Sequence, residues 1–285
     1  MKRYHIVKRD LLTPGRRIVF YLLAIAAALL LGALLLMMTG VNPLSYYFKM
    51  LTIGTVTDSG ELSRLAYKQV ENLIKVFVPL VLTSVALSVA FKMKFWNIGG
   101  EGQFLVGAVA AAFIPLKFGV IGNQALTLLL MAAAAMAAAA VWGGIVALLK
   151  VRFGTNETLM TLMFNYIALY FVALLGEEKA GWNVFLDPES QRPLFRSVWD
   201  FVTMPAITIG KFSLSWSLLF VLVLCILVYF YLKKTKHGYE ISVVGDSIGT
   251  AKYAGMKVGR IIVRTMLLSS ALIGLAGFFK LTSAG

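Results

Sequence analysis

Polar side chains are scarce in this sequence, and the few set among apolar stretches are where chemistry must be sought. One group is compact: Trp96, Asn97, Gly99, Gly100, Glu101 and Gln103 fall between two apolar runs. Two carboxamides and a carboxylate can exchange hydrogen bonds with the hydroxyl and amide groups of a neutral polar solute, and the indole offers a stacking face. A second candidate, Asn165 followed by Tyr166, lies inside another apolar run. A carboxamide in such surroundings is costly unless hydrogen-bonded, so it meets either a neighbouring helix or a solute. Glu101 and Glu157 sit at the margins of apolar runs and read first as helix-capping or interhelical partners.

Covalent and metal chemistry have no such basis. The one cysteine, Cys225, is embedded in apolar sequence and has no second thiol to pair with. His5 and His237 are far apart and lie among basic residues, a spacing that makes no zinc ligand set. No phosphate-cradling G-x-x-x-x-G-K-[ST], no G-x-S-x-G and no H-E-x-x-H is present. The sequence therefore predicts no catalytic residue, no metal site and no cofactor, and this chain is not expected to be an enzyme.

The elements that carry these residues follow from composition. Hydrophobic residues make up 59% of the 285 and charged residues only 14%, where a soluble domain carries about 25%. Mean hydropathy is +0.82. The net charge of +14 would suggest nucleic acid in a soluble protein, but the apolar runs place this chain in a bilayer, with no nucleic-acid partner. The fold class expected is all-α, a polytopic membrane protein of about seven segments. A crossing helix needs about 20 apolar residues. Ile18 to Met38, Ala125 to Leu149, Thr158 to Leu175, Leu214 to Leu232 and Ile261 to Phe279 supply five. Val76 to Phe91 and Phe104 to Leu116 are shorter, reaching about 24 and 20 Å at the helical rise. They read either as a broken helix pair lining a transport path or as two tilted spans joined by a cytoplasmic loop. The alanine-rich stretch from Ala132 to Ala140, followed by Gly143 and Gly144, predicts a central, closely packed span.

With the N-terminus cytoplasmic and the runs alternating, 17 of the 27 Lys and Arg residues face the cytoplasm, while 8 of the 13 acidic residues face outward. This gives a basic cytoplasmic segment over 1–17, an external amphipathic segment over 42–75 with apolar positions at Leu62, Leu65, Ala66, Val70 and Leu73, and an external loop over 176–211. That loop carries Glu177, Glu178, Asp187, Glu189, Asp200, Trp182 and Trp199; it either faces a partner or is a solvated loop with aromatic anchors. The cytoplasmic segment 233–260 combines a basic stretch, an apolar turn and a short helix from Ser247 to Gly255. It reads as a docking element or as a surface loop whose lysines meet anionic lipid.

Four ordered blocks carry a resemblance: Trp96 to Gln103; Gly154 to Glu157 with Leu162 to Ala168; Val244-Gly245 with Ala251 to Met256; and Ser270 to Gly277. In this order and spacing the chain resembles the permease subunits of ABC importers of the branched-chain amino acid/ribose class, and within it the nucleoside (simple-sugar-type) permeases. The resemblance implies a single permease domain over 1–285 that forms a pathway with a second permease, a homo- or heterodimer, in the bacterial plasma (inner) membrane. It also implies an ATPase subunit, which would hydrolyse the ATP, and a substrate-binding lipoprotein. Ser247 to Gly255, within the cytoplasmic coupling segment 233–260, then matches a coupling helix, and the residues implied in ATPase coupling are Gly245, Asp246, Ser247, Ala251, Tyr253, Ala254 and Gly255. Substrate-pathway candidates are Trp96, Asn97, Gly99, Gly100, Glu101, Gln103, Asn165 and Tyr166. Members of the class continue past the Ser270–Gly277 block, so the resemblance implies that C-terminal spans are lacking here. The rival reading is an ion-coupled secondary transporter, which needs a carboxylate at membrane depth; only Glu101 and Glu157 lie near a span, both at expected span ends.

Overall fold

The computed structural model describes residues 14–53, 55–56, 66–177, 183–190, 194–210 and 212–283. The chain divides after Val70 into two compact units. The first holds α1 (Pro14–Met38) and α2 (Pro43–Leu51). Asn42 starts α2 by accepting from the Leu44 and Ser45 N–H groups, with Pro43 at the first helical position, where its missing N–H costs nothing. The Tyr47 hydroxyl then donates to the Leu29 carbonyl of α1 at 2.6 Å.

The second unit contains α3 (Ala66–Lys92) from Glu71 onward, α4 (Gly100–Phe118), α5 (Gln124–Phe153), α6 (Glu157–Glu177), α7 (Ser217–Lys234), α8 (Lys236–Asp246), α9 (Ile248–Tyr253) and α10 (Val258–Thr282). A two-stranded antiparallel ribbon, β1 (Ala206–Ile209) and β2 (Phe212–Ser215), pairs Ala206 with Ser215. Seven of the described helices are long and apolar enough to cross a membrane, and the chain is an all-α polytopic membrane protein. Three sequence expectations need correction. The pair expected to be short is not: α3 has 27 residues and α4 has 19, because Ala66 to Lys75 continues the α3 helix instead of forming a separate interfacial one. The amphipathic segment expected over 42–75 is thereby reduced to α2 and the start of α3, and Leu62 and Leu65 lie outside the described residues. The loop expected over 176–211 contains β1 of the β-ribbon; Glu178, Trp182 and Lys211 also lie outside the described residues.

The alanine-rich α5 is central and closely packed, lying against α4, α6 and α10, and α10 is the most buried span. Small residues set the approach. A β-carbon on Gly107 of α4 would lie 2.5 Å from the Gly274 Cα of α10, and one on Gly274 would lie 2.3 Å from the Ala135 carbonyl of α5. Three backbones therefore meet where no side chain fits, the packing expected of helices that gain no hydrophobic drive from lipid. At one end of this unit α5 turns into α6 through Gly154 in the left-handed region, and Lys150 pairs with Glu157 across the turn at 2.6 Å. The opposite end is tied by the Met204 N–H to the Thr282 carbonyl and by Gln124 to the Thr203 carbonyl.

Candidate functional site

α3 stops in a hydrogen-bonded turn. Lys94 N–H reaches the Phe91 carbonyl at 2.8 Å and Phe95 N–H the Ala90 carbonyl at 3.2 Å, with Lys94 at φ 56° where glycine is usual. Two three-residue turns then lead to α4, the Asn97 N–H on the Phe95 carbonyl at 2.9 Å and the Ile98 N–H on the Trp96 carbonyl at 3.1 Å, and burial alternates along them. Met93, Phe95 and Asn97 are buried; Lys94, Trp96 and Ile98 are exposed.

A helix that begins inside a bundle leaves backbone N–H groups that water cannot reach, and here amide side chains take them. Asn97 Oδ1 accepts from the Gly99 N–H at 3.1 Å, and Asn165 Oδ1 of α6 accepts from the Gly102 N–H at 2.8 Å. Asn165 also donates to the Ile98 carbonyl at 2.9 Å, while Thr161 Oγ1 accepts from the Ile98 N–H at 3.2 Å. Thr161 and Asn165 are four residues apart on one face of α6, so both reach the break. Asn97 and Gln103, fully buried, exchange a reciprocal pair of amide hydrogen bonds at 3.2 and 3.1 Å. Gly102 allows the close approach: a β-carbon there would sit 2.9 Å from Asn165 Oδ1.

The depth of this knot follows from its neighbours. Asn165 lies near the middle of the 21-residue α6. Gln103 Nε2 meets the Gly143 position together with Ser270, which is at the centre of the 25-residue α10. Gly143 is about 15 Å from the end of α5 at the helical rise. The Asn97–Gln103 segment is therefore inside the span region and not in a surface loop.

The sequence candidates accordingly divide. Asn97, Gln103 and Asn165 are brought together and use their amide groups on one another and on the backbone. Gly99 and Gly100 are buried at the start of α4. Trp96, Glu101 and Tyr166 are exposed, with Trp96 tilted against Phe91 at 5.6 Å between ring centres. The Glu101 carboxylate has no hydrogen-bond or ionic partner among the described residues. Glu101 lies in the first turn of α4, between Gly100 and Gly102, whose neighbours are Ile273 and Asn165. Glu101 is thus at the N-terminal end of the α4 span, the span end at which its sequence position put it. Thr161 was missed, although its four-residue spacing from Asn165 was the available signal.

The 233–260 segment is also more structured than its sequence suggests. The basic stretch and apolar turn form α8, capped by Thr235, whose Oγ1 accepts from the Gly238 N–H at 3.1 Å. Ile241, Val244 and Gly245 are buried. Glu240 pairs with Arg264 of α10 at 2.8 Å, with His237 Nδ1 3.6 Å away. The Arg264 hydrogen bond holds the Glu240 carboxyl below the usual carboxylate range. α9 follows, with Ser247 as its N-cap, Ala251 buried and Gly255 at φ 75° ending it. Asp246, Ser247, Ala254 and Gly255 are exposed, and Tyr253 is 97% exposed.

Residues 69–285 match the family described as branched-chain amino acid transport system / permease component. The chain is 30% identical to the guanosine ABC transporter permease protein NupP of Bacillus subtilis over 263 residues, 90% of this chain and 69% of that protein. It is 28% identical to the nucleoside ABC transporter permease protein NupB of Lactococcus lactis over 271 residues, 92% of this chain and 70% of the relative. It is also 28% identical to a glucose ABC transporter permease protein of Haloferax volcanii over 273 residues, 92% and 67% of the two chains. No solved structure matches the chain.

Proposed function

The chain belongs to the branched-chain amino acid transport permease family, and from that premise we propose that it is the membrane subunit of an ATP-driven importer for nucleosides or related sugars. It works with a second permease, an ATPase subunit that hydrolyses the ATP and a substrate-binding lipoprotein, in the bacterial plasma membrane with its N-terminus cytoplasmic. The observation that carries this reading is the α8–α9 unit. Two short helices outside the spans bury Ile241, Val244 and Ala251 against the chain itself, yet leave Ile248 and Tyr253 uncovered. A six-residue helix with an exposed aromatic at its end is poor use of sequence unless a partner covers it. The ATPase subunit is that partner, and Lys233, Lys234, Lys236, Lys252, Lys257 and Arg260 around it fit a cytoplasmic face.

The exposed side of the α3–α4 break forms the wall of the translocation path. A carboxylate facing lipid at bilayer depth costs several kcal/mol, so Glu101 faces water or a second subunit. Trp96 and Tyr166 supply stacking faces, and Glu101 accepts from hydroxyl or ring N–H groups of a neutral solute. Asn97, Gln103 and Asn165 hold that wall in shape.

The test is uptake in proteoliposomes holding the complete transporter. Nucleoside accumulation that requires ATP and the ATPase subunit supports the reading. Glu101 also meets the requirement of the rival ion-coupled carrier for a carboxylate at depth. Accumulation by this chain alone on a proton or sodium gradient, abolished by Glu101→Gln, would establish that rival and overturn the first.

A further inference from the structure

We propose that Gly245 is a positioning residue of the transport cycle, whose backbone contact with Lys92 and Met93 carries movement of the α8–α9 body into the α3–α4 break. The proposal rests on the importer reading and adds to it the joint through which the docking face reaches the path wall.

Three observations lead to it. First, α8 touches the end of α3 backbone to backbone. A β-carbon on Gly245 would lie 2.3 Å from the Lys92 carbonyl oxygen and 3.2 Å from the Met93 Cα. Gly245 lies within α8 and is not among the residues with positive φ, so glycine is required there by the contact and not by the conformation. Second, nothing between Met93 and the path wall is free to absorb a displacement. Met93 and Phe95 are buried, and the turn hydrogen bonds at Phe91 and Ala90 lock the end of α3. Lys92 Nζ fastens that end to the Leu232 carbonyl at 3.1 Å. Asn97 is held by Gln103, and Ile98 by Thr161 and Asn165. Third, α8 and α9 are joined with no intervening loop: Ser247 both closes α8 and caps α9.

A shift of α9 therefore moves α8, and α8 bears on Lys92–Met93 with no side chain between them to repack. Trp96 lies three residues beyond Met93 in a segment closed by short turn hydrogen bonds, and Glu101 is in the first turn of the helix that follows. Closely packed elements respond to such a push by switching between discrete arrangements, because interiors have little slack.

The experiment uses the complete transporter in proteoliposomes, with ATP hydrolysis and nucleoside uptake measured in the same vesicles and normalised to assembled complex. Gly245→Ala is expected to hydrolyse ATP at the wild-type rate while uptake per ATP falls about tenfold, within the usual span of intersite coupling. Gly144→Ala is the packing control. Its β-carbon would press on the end of the Leu267 side chain at 2.8 Å, an added methyl in a packed helix contact away from the joint, and uptake per ATP stays at the wild-type value. Lys92→Met removes the clamp to Leu232 without adding bulk at the contact, and lowers the same ratio. It carries the test alone if Gly245→Ala fails to assemble. Wild-type uptake per ATP in both Gly245→Ala and Lys92→Met, or an equal fall in Gly144→Ala, overturns the proposal. Wild-type vesicles that accumulate nucleoside without ATP overturn the importer reading itself, before any variant is compared.

Discussion

Replacing the buried amides one at a time and then together separates a structural knot from a ligand site. Asn97→Leu removes three hydrogen bonds: two with Gln103 at 3.2 and 3.1 Å and one with the Gly99 N–H at 3.1 Å. Side-chain hydrogen bonds between membrane helices are worth about 0.6 kcal/mol on average and up to about 2 kcal/mol. Leaving the Gln103 amide without a partner adds a desolvation cost of about 1–3 kcal/mol. The expected loss is about 3 kcal/mol. Gln103→Leu keeps the Asn97 bond to Gly99 and costs less, about 2 kcal/mol. The double variant leaves no stranded side-chain amide, only the Gly99 N–H that Asn97→Leu already uncovers, so its loss is smaller than the sum of the two single losses by about 1–2 kcal/mol.

The assay is the thermal midpoint of the purified complex in nanodiscs, read by loss of monodisperse protein. A 3 kcal/mol loss corresponds to a fall on the order of 5–10 °C in a chain of this size. Additive losses in the double variant, or single variants that keep the wild-type midpoint while losing uptake, would refute the reasoning: Asn97 and Gln103 would then be contacts for the solute.

Glu101→Gln should leave the midpoint unchanged, since the carboxylate is exposed and unpartnered among the described residues, and should raise the KM for uptake. Gly274→Ala should cost about 1–3 kcal/mol through overpacking, because the Ala135 carbonyl blocks the added methyl, and should lower the amount of folded protein recovered from membranes. Tyr253→Ala, at a side chain 97% exposed, should leave the midpoint unchanged and weaken co-purification of the ATPase subunit. For the Glu240–Arg264 pair, the folded pKa of Glu240 is lowered, so its contribution to stability is complete above the ordinary carboxylate value. That contribution is lost as pH falls through the lowered folded value. The midpoints of wild type and Glu240→Gln should differ near neutral pH and converge in that acidic window.

The spans were legible because hydropathy over about twenty residues is a strong signal, and each expected run lies within a helix except Leu214 to Leu232, whose first residues belong to β2 and which becomes helical at Ser217. Helix ends were less so. α3 begins ten residues before its apolar run, since a helix continues through charged turns that hydropathy discounts. α8 escaped because its polar residues share its length with Ile241, Val244 and Gly245, and only the fold shows what those bury against. The same limit applied to α10: its sequence is no more apolar than that of its neighbours, and centrality depends on which backbones approach.

The break shows most clearly what a linear pattern leaves open. Glycines and amides between two apolar runs fit a surface loop as well as a site, because both need residues that tolerate irregular backbone. Depth decides, and depth is fixed by partners distant in sequence: Asn165 on Ile98 and Gly102, and Gly143 beside Gln103. At that depth each exposed backbone N–H must be satisfied by protein, which assigns the amides to the scaffold before any solute is considered. The residues left for a solute are those the knot does not use. Trp96 and Ile98 face outward by alternation with Phe95 and Asn97, and Glu101 faces outward on a helix whose Gly102 and Gln103 are buried. Moving the segment by one residue would exchange these two sets. The amide knot therefore sets the register of the outward-facing residues, and under the proposed function a variant that loosens it should alter solute affinity.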